Sequence, residues 1–429
     1  MNKPALLGGS KVRNKPFPKY PVMGNDEIRA VTRVIKSGKL SGFIANASEA
    51  FLGGPNVRKL ESEFMKYFKV PYAMAVNSAT AGLHASLAAV GVGPGDEVIV
   101  PPYTMSASAA AVLMTNAVPR FVDIREDIFG LDVNQLKKAI NSRTRAIVVV
   151  HLFGHPVPMK GIMVIAKKYR LKVIEDCAQA PGAQIEGRYA GTFGDAGVFS
   201  FNQHKTITTG EGGVVIAKDA KVAQKIRLVR NHGEAVVEGL GVKDIVNTLG
   251  WNYRMTELEA AVGIEQFKKI ERLTQSRQRI ASYLTKHLKK FPGLTPPVTL
   301  KSARHVYFIY AIKYDSAKFG MPRELLIKAL QAEGIPFGMG YVKPLYLAPL
   351  YQKQLCFGAQ GWPFSAIPAR KRPSYRRGLC PVTEKMHFQD LIHTTVCYDS
   401  VTVKDAADVI RAFDKIYRYR HELNAKNKN

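Results

Sequence analysis

From about residue 74 to 230 the chain switches repeatedly between two hydrophobic periods. AMAV (73–76) reads as a short strand, and TAGLHASLAAV (80–90) as a helix with Leu83, Leu87 and Val90 on one face. The pattern then repeats: strand EVIVP (97–101), a helix through 104–115, strand PRFVDI (119–124), helix VNQLKKAI (133–140). Strand AIVVVHL (146–152), helix MKGIMVIAKKY (159–169) and strand LKVIED (171–176) follow. Short apolar runs separated by helix-period segments predict an α/β fold with a parallel sheet covered on both faces. Such sheets bind ligands beyond the carboxyl ends of their strands. Chemistry is therefore expected after EVIVP, after LKVIED and in the strand–loop region after residue 199.

Further on, Met255 precedes Thr256, and Glu259 stands three residues after it. This is a capping box, opening one long helix through MTELEAAVGIEQFKKIERL (255–273). FPGLTPP (291–297) marks a boundary. Beyond it HVYFIYAIKY (305–314) reads as a strand, PRELLIKALQAEG (322–334) as a helix, 336–390 as irregular, and VKDAADVIRAFDKIY (403–417) as a last helix. The expected organisation is an N-terminal arm (1–25), a large domain (26–290), a smaller α+β domain (291–423) with an insertion around 340–390, and a polar tail (424–429). No internal repeat is evident.

Composition narrows the class. The 429 residues allow two or three domains, and 46% hydrophobic with 22% charged residues is ordinary for a globular protein. The longest apolar stretches, AIVVV (146–150) and SASAAAVLM (106–114), are too short for a membrane span. The opening MNKPALLGGSK lacks the apolar core of a signal peptide. Cysteines 177, 356, 380 and 397 are widely spaced, with no CxxC pair and no zinc spacing. Reduced thiols, no metal and a cytoplasmic location are the expectation. The 62 Lys+Arg against 34 Asp+Glu give +28, which suits nucleic acid, an anionic substrate or a basic solvated surface. The sharpest basic run, ARKRPSYRR (369–377), reads as a mobile loop, a site for a small phosphorylated ligand, or a nucleic-acid contact. No zinc finger or RRM signature accompanies it, which argues against nucleic acid.

Three local patterns carry candidate chemistry. In NSATAGL (77–83) small hydroxylated residues lead into a helix, whose first amides and dipole attract a phosphate. Ala79 and Thr80 would supply amides and Thr80 a hydroxyl; an ordinary Ser/Thr cap is the plainer alternative. In VIEDCAQA (173–180) two acids end a buried strand. Asp176 there needs a positive partner, such as a protonated ring nitrogen, unless it is a helix cap or an ion pair. Gln179 could donate to the same ring. In FSFNQHKTITTGEGG (199–213) Lys205 follows an apolar strand, stands among Thr206, Thr208 and Thr209, and precedes GEGG. The glycines permit tight turns and leave room beside a bound group. GVGPGD (91–96) lacks GxGxxG spacing, and no P-loop is present, so a dinucleotide or nucleotide fold is not indicated. Phosphate site, strand-end acid and fixed lysine, in that order, make the kit for pyridoxal phosphate (PLP).

With NSATAGL, GDEVIVPPYT, EDCAQAPGA, GRYAGTFGDAGVFSFNQHKTITTGEGG, RNHG (230–233) and GWNYRMTELEAA (250–261), the chain resembles the DegT/DnrJ/EryC1/StrS family of PLP-dependent sugar aminotransferases. The resemblance runs from about Gly8 to the last helix. It implies a fold type I, aspartate aminotransferase-like architecture and a homodimer with shared active sites. By the resemblance Lys205 is the lysine that attaches the cofactor's aldehyde, Asp176 pairs with the pyridine nitrogen, and Gln179 contacts the ring or its hydroxyl. Ser200, Thr80 and the Ala79 amide would bind phosphate. Tyr103, Met105 and Asn252 complete the cofactor set, while Arg254, His204 and Tyr341 face substrate. Asn252 and Arg254 would reach across the dimer. Alanine at 79 replaces a frequent glycine but keeps an amide. Met105 stands where the family has an aromatic on the cofactor face; a thioether can also pack on a ring.

Some relatives carry histidine in the lysine slot and act as sugar dehydratases. Here the spacing SFxxxKxxTxGEGG puts Lys205, not His204, in that slot, which favours transamination. LLGGSKVRNKPFPKYP (6–21) and GYVKPLYLAPLY (340–351) resemble the branch with glutamine-dependent inosose aminotransferases and amino-hydroxybenzoate synthases. That implies glutamine, or else glutamate, as donor and a keto sugar, often nucleotide-linked, or a keto-cyclitol as acceptor. A non-catalytic basic protein binding nucleic acid or another ligand is the competing class.

Overall fold

The computed structural model of the chain describes residues 3–428; Met1 and Asn2 of the expected arm and Asn429 of the expected tail lie outside the described residues. The first strands are β1 (Tyr72–Val76), β2 (Glu97–Val100), β3 (Val118–Phe121), β4 (Thr144–Val150) and β5 (Lys172–Asp176). A short hairpin, β6 (Gln184–Ile185) and β7 (Arg188–Tyr189), precedes β8 (Ala196–Ser200) and β9 (Gly213–Ala217). Seven of these form one sheet in the order β1-β9-β8-β5-β4-β2-β3. The pairs β2–β3, β2–β4, β4–β5 and β5–β8 are parallel, and β9 runs antiparallel to both its neighbours.

Every residue of β2, β8 and β9 is buried. A sheet covered on both faces needs apolar side chains on both, so its strands read as continuous apolar runs. Helices Ala79–Ala89, Ala107–Met114 and Ala220–Arg230 cover one face. Helices Pro55–Phe68, Glu257–Phe267 and Met159–Tyr169 supply the cores on the other. The α/β architecture with a mainly parallel sheet is the one expected. Among the described residues no helix is long and apolar enough to cross a membrane.

The later strands are β10 (Leu294–Thr295), β11 (Ala303–Arg304), β12 (Tyr310–Tyr314), β13 (Gly338–Met339) and β14 (Leu391–Thr394). Strand β11 joins the β6–β7 hairpin, and the rest form an antiparallel sheet, β10-β12-β14-β13. Helices Arg323–Ala332 and Val403–Arg418 share its core.

Three elements differ from expectation. The strand expected over 305–314 begins only at Tyr310, because the amides of Val306 and Ile309 bond to Gly154 O (3.0 Å) and Phe153 O (3.4 Å) instead of entering a ladder. The long helix after Thr256 is broken at Lys268–Lys269. The break lets Phe267 and Ile270 share one core cluster while Lys269 pairs with Glu27. Its start does carry the capping box: the Thr256 hydroxyl accepts from Glu259 N (3.2 Å), and the Glu259 carboxylate accepts from Thr256 N (2.8 Å). The polar tail is helical over Arg420–Lys428, anchored by buried Leu423 and by Asn424 Nδ2 donating to Gly320 O at 2.8 Å.

The 340–390 stretch covers β3, where Tyr346, Tyr351 and Tyr375 pack around Phe121. It thereby closes an edge strand that would otherwise offer unpaired backbone groups. The basic run is anchored within it: Tyr375 Oη donates to Pro119 O (2.7 Å) and Arg143 Nη2 to Lys371 O (3.0 Å).

Arg230 is the largest fully buried side chain. Its Nη1 donates to Glu61 Oε1 (2.7 Å) and to Ala75 O (3.0 Å), and its guanidinium lies 4.7 Å from the centre of the Phe43 ring. Glu61→Ala leaves this cation buried without a counter-charge, at a cost of about 3–5 kcal/mol. A clear fall in the thermal midpoint is expected, larger than for Glu61→Gln; equal midpoints for the two variants would contradict it.

Candidate active site

At one end of the large sheet the strand ends converge. β1, β5 and β8 finish there with Val76, Asp176 and Ser200, and antiparallel β9 starts there with Gly213, paired to Ser200. After β1 the chain enters the Ala79–Ala89 helix. Ser78 caps it, accepting from Ala81 N at 3.1 Å. The amides of Ala79 and Thr80 belong to the first turn and have no acceptor within the helix. A Cβ on Gly213 would sit 2.9 Å from Ala79 N. The last glycine of GEGG thus lets strand and helix start approach closely, and brings Ser200 to the same corner.

The loop between β8 and β9 uses two of the three threonine hydroxyls that follow Lys205, those of Thr208 and Thr209. Thr208 Oγ1 donates to Phe201 O (3.0 Å) and accepts from Gly210 N (3.0 Å), while Thr209 N donates to Phe201 O (2.9 Å). Gly210 and Gly212 take φ of 88° and 142°. At the apex Lys205 N donates to Asn202 O (2.8 Å), and the Lys205 Nζ lies 4.8 Å from the centre of the Phe308 ring. Burial lowers the Lys205 amine below the usual lysine range, and the charge of Asp176 offsets part of the shift. The amine and the carboxylate therefore act on one another across the site.

Asp176 and Glu175 end β5 side by side and meet different surroundings. Successive strand side chains point to opposite faces. Asp176 Oδ2 accepts from Ser108 Oγ (2.7 Å) and Oδ1 from Ala178 N (3.1 Å). Glu175 accepts from the amides of Gly191 (2.8 Å), Phe193 (2.7 Å) and Gly194 (2.7 Å) and from His151 Nε2 (3.0 Å). The Val157 amide donates to His151 Nδ1 (2.9 Å), so the ring proton is on Nε2. Burial raises the Glu175 carboxyl, but His151 and these amides outweigh it and hold it below the ordinary range. Ligand-type atoms of His151, Glu175 and Cys177 lie within 4.8 Å of one another. The histidine and glutamate are engaged with one another and with backbone amides, and burial pushes the Cys177 thiol up, so the three side chains brace the end of β5.

Gln179 is committed at both ends: Oε1 accepts from Phe153 N (2.9 Å) and Nε2 donates to Tyr341 Oη (2.8 Å). Tyr103, expected among the cofactor contacts, has a buried hydroxyl with no hydrogen-bond partner among the described residues. It is 0% exposed, closed in by the rings of Phe153, Tyr341 and His387, and so backs Tyr341 from behind. Met105 is 55% exposed and His204 is exposed on the Lys205 loop. Asn252 and Arg254 bond to each other (Arg254 Nε to Asn252 Oδ1, 2.9 Å), and Asn77 Nδ2 donates to Asn252 O at 3.2 Å. Among the described residues no hydrogen bond or ion pair joins either to Lys205 or Asp176. Sequence reading passed over Ser108 and Phe308. Ser108, a hydroxyl within an alanine-rich helix, had a local signal. Phe308 had none.

The pattern of the DegT/DnrJ/EryC1/StrS aminotransferase family matches residues 23–366. The chain belongs to this family. It is 33% identical over 437 residues to an L-glutamine:2-deoxy-scyllo-inosose aminotransferase of Streptomyces fradiae, covering 98% of each chain. It is 37% identical over 330 residues to a UDP-N-acetyl-3-dehydro-alpha-D-glucosamine 3-aminotransferase of Acidithiobacillus ferrooxidans, covering 76% of this chain and 86% of that one. Among solved structures, an aminotransferase from Psychrobacter cryohalolentis superposes with a TM-score of 0.81 at 29% identity, covering 95% of this chain and 100% of that one. The family makes the protein a transaminase.

Gly213→Ala should weaken PLP binding at least tenfold in a spectrophotometric titration, because the added methyl meets Phe199 O at 2.6 Å and Ala79 N at 2.9 Å and forces β9 and the helix start apart. Gly210→Ala, whose Cβ meets nothing within 4 Å, should leave binding within about twofold and cost only about 1–2 kcal/mol of stability for its positive φ. Equal affinities in the two variants would remove Gly213 from the site.

Proposed function

We propose that this transaminase uses PLP to move an amino group from glutamine, or less readily glutamate, to the ketone of a sugar or cyclitol. The observation that carries the reading is a half-buried lysine amine that feels the charge of a strand-end carboxylate, beside a helix start opened by Gly213. The residues fit the cofactor. The amides of Ala79 and Thr80 with the hydroxyls of Thr80 and Ser200 would hold its phosphate at a helix N-terminus. Asp176, fixed by Ser108, would hold a proton on the ring nitrogen. Gln179, fixed by Phe153 and Tyr341, would orient the ring.

Bound there, PLP supplies an aldehyde for amine attachment and an electron-withdrawing ring. Lys205 does the rest. A lowered pKa leaves more of its Nζ neutral at a given pH, which suits it to attack the aldehyde and afterwards to carry a proton. A base positioned in this way contributes roughly 10²–10⁴ in rate. Tyr341 reaches the site from the covering insertion and stands with His204 as a candidate substrate contact.

Glutamine as donor is supported by the match across 98% of each chain with the inosose enzyme. Amino-sugar relatives such as the Acidithiobacillus enzyme support a keto sugar as the other acceptor. A homodimer is supported by exposed apolar side chains next to Asn252: Val246, Leu249 and Trp251, with Leu249 67% exposed. A second copy covering them would bring Asn252 and Arg254 to its own site, Arg254 toward an anionic group of donor or acceptor. Four free thiols, three of them buried, are consistent with the cytoplasm.

Borohydride reduction of the wild-type protein with PLP should fix the cofactor on the peptide bearing Lys205. Lys205→Ala should lack the visible band of lysine-bound cofactor and show no turnover. With a panel of inososes and nucleotide-linked keto sugars, glutamine should outperform glutamate. Full transamination by Lys205→Ala would overturn the reading.

A further inference from the structure

The main chain of Lys205 is held by a residue far away in sequence. Tyr20 Oη donates to Lys205 O, and Arg277 Nη2 donates to Tyr20 Oη at 2.9 Å. Arg277 is 3% exposed and spends its other nitrogen on Cys397 O (2.7 Å) and Tyr307 O (3.2 Å). One guanidinium thus joins the arm, the end of the second sheet and the segment bearing Phe308, whose ring receives the Lys205 amine. The arm leading to Tyr20 is tied along its length. Glu333 accepts from Ala5 N (2.8 Å) and Val12 N (2.9 Å), Arg13 pairs with Asp405 (2.8 Å) and Asp408 (2.7 Å), and Tyr398 Oη donates to Pro18 O (2.6 Å).

We propose that Tyr20 is a positioning residue for Lys205, delivered by the N-terminal arm and fixed by Arg277. The inference rests on Lys205 being the cofactor lysine. Lys205 sits in a turn, outside any helix or strand, where its own amide bond to Asn202 is the other main-chain anchor. The amine must serve first as attachment point and then as proton carrier, so its Cα has to stay still while the side chain moves. A bond to the carbonyl restrains the Cα and leaves Nζ free. Tyr20 and Phe308 grip opposite ends of the same residue, and both depend on Arg277. The small antiparallel sheet thereby sets the position of a lysine belonging to the large one.

The test uses the full-length chain loaded with PLP. Tyr20→Phe keeps the ring beside Tyr398 (5.1 Å between centroids) and deletes the bond to Lys205. Rapid mixing with donor should give a half-reaction rate constant about tenfold lower, short of the roughly hundredfold loss of an ångström-scale misplacement, at unchanged half-saturating donor concentration. In the cofactor-free protein, amides 202–208 should exchange hydrogen faster. Tyr398→Phe, which removes only the neighbouring bond to Pro18, should change neither reading. A wild-type rate constant in Tyr20→Phe, or an equal loss in Tyr398→Phe, would overturn the proposal. Borohydride mapping separates the two readings: an adduct away from Lys205 defeats the cofactor assignment, whereas an adduct on Lys205 with no Tyr20 effect defeats only this inference.

Discussion

Two adjacent carboxylates at the end of β5 govern the rest of the site. The strand is buried on both faces, so neither charge reaches bulk water, and each must be satisfied by protein. The pleat sends them apart. Glu175 is consumed by three amides and a histidine, which fixes the hairpin region after β5 and the turn after β4. Asp176 receives one serine hydroxyl and one amide, and keeps capacity for a cation. The surplus negative charge that is left faces the lysine loop. A strand with a single acid could only support its surroundings; this one does so through Glu175 and leaves Asp176 facing the lysine loop.

Around that anchor the site is assembled by close approach. Gly213 admits the helix start against β9, and antiparallel β9 returns its first residue to the end where the parallel strands finish. Thr208 and Thr209 are spent inside their own loop, tying it to Phe201, Gly210 and Glu211. They shape the loop that carries the amine. Hydrophobic burial supplies the remaining bias, lowering the affinity of Nζ for its proton while Asp176 limits that shift. Burial and counter-charge together place the amine between a permanently charged surface lysine and a fully desolvated one.

The second sheet contributes more than a lid. Its arm, its linking segment around Phe308 and its insertion each touch a residue of the large-sheet site: Lys205 O, Lys205 Nζ and Gln179. Any displacement of this unit would be felt at the Lys205 amine and at Gln179 together. The coupling runs through Arg277, whose burial makes its three hydrogen-bond partners costly to lose.

The sequence by itself determined the parallel sheet, the Thr256 cap and the residues at which chemistry was sought. These follow from local rules: continuous apolar runs for strands buried on both faces, one hydroxyl with a glutamate three residues on, and one lysine among hydroxyls and glycines. Tertiary structure decided what depends on partners distant along the chain. It split Glu175 from Asp176, buried Tyr103 behind Tyr341, ended the strand reading of 305–309 at the turn of Phe153 and Gly154, and folded the polar tail around Leu423. It also joined Tyr20 to Lys205 across 185 positions. No periodicity encodes such a contact, because it arises only when two separately folded sheets pack and bring their loops to one place.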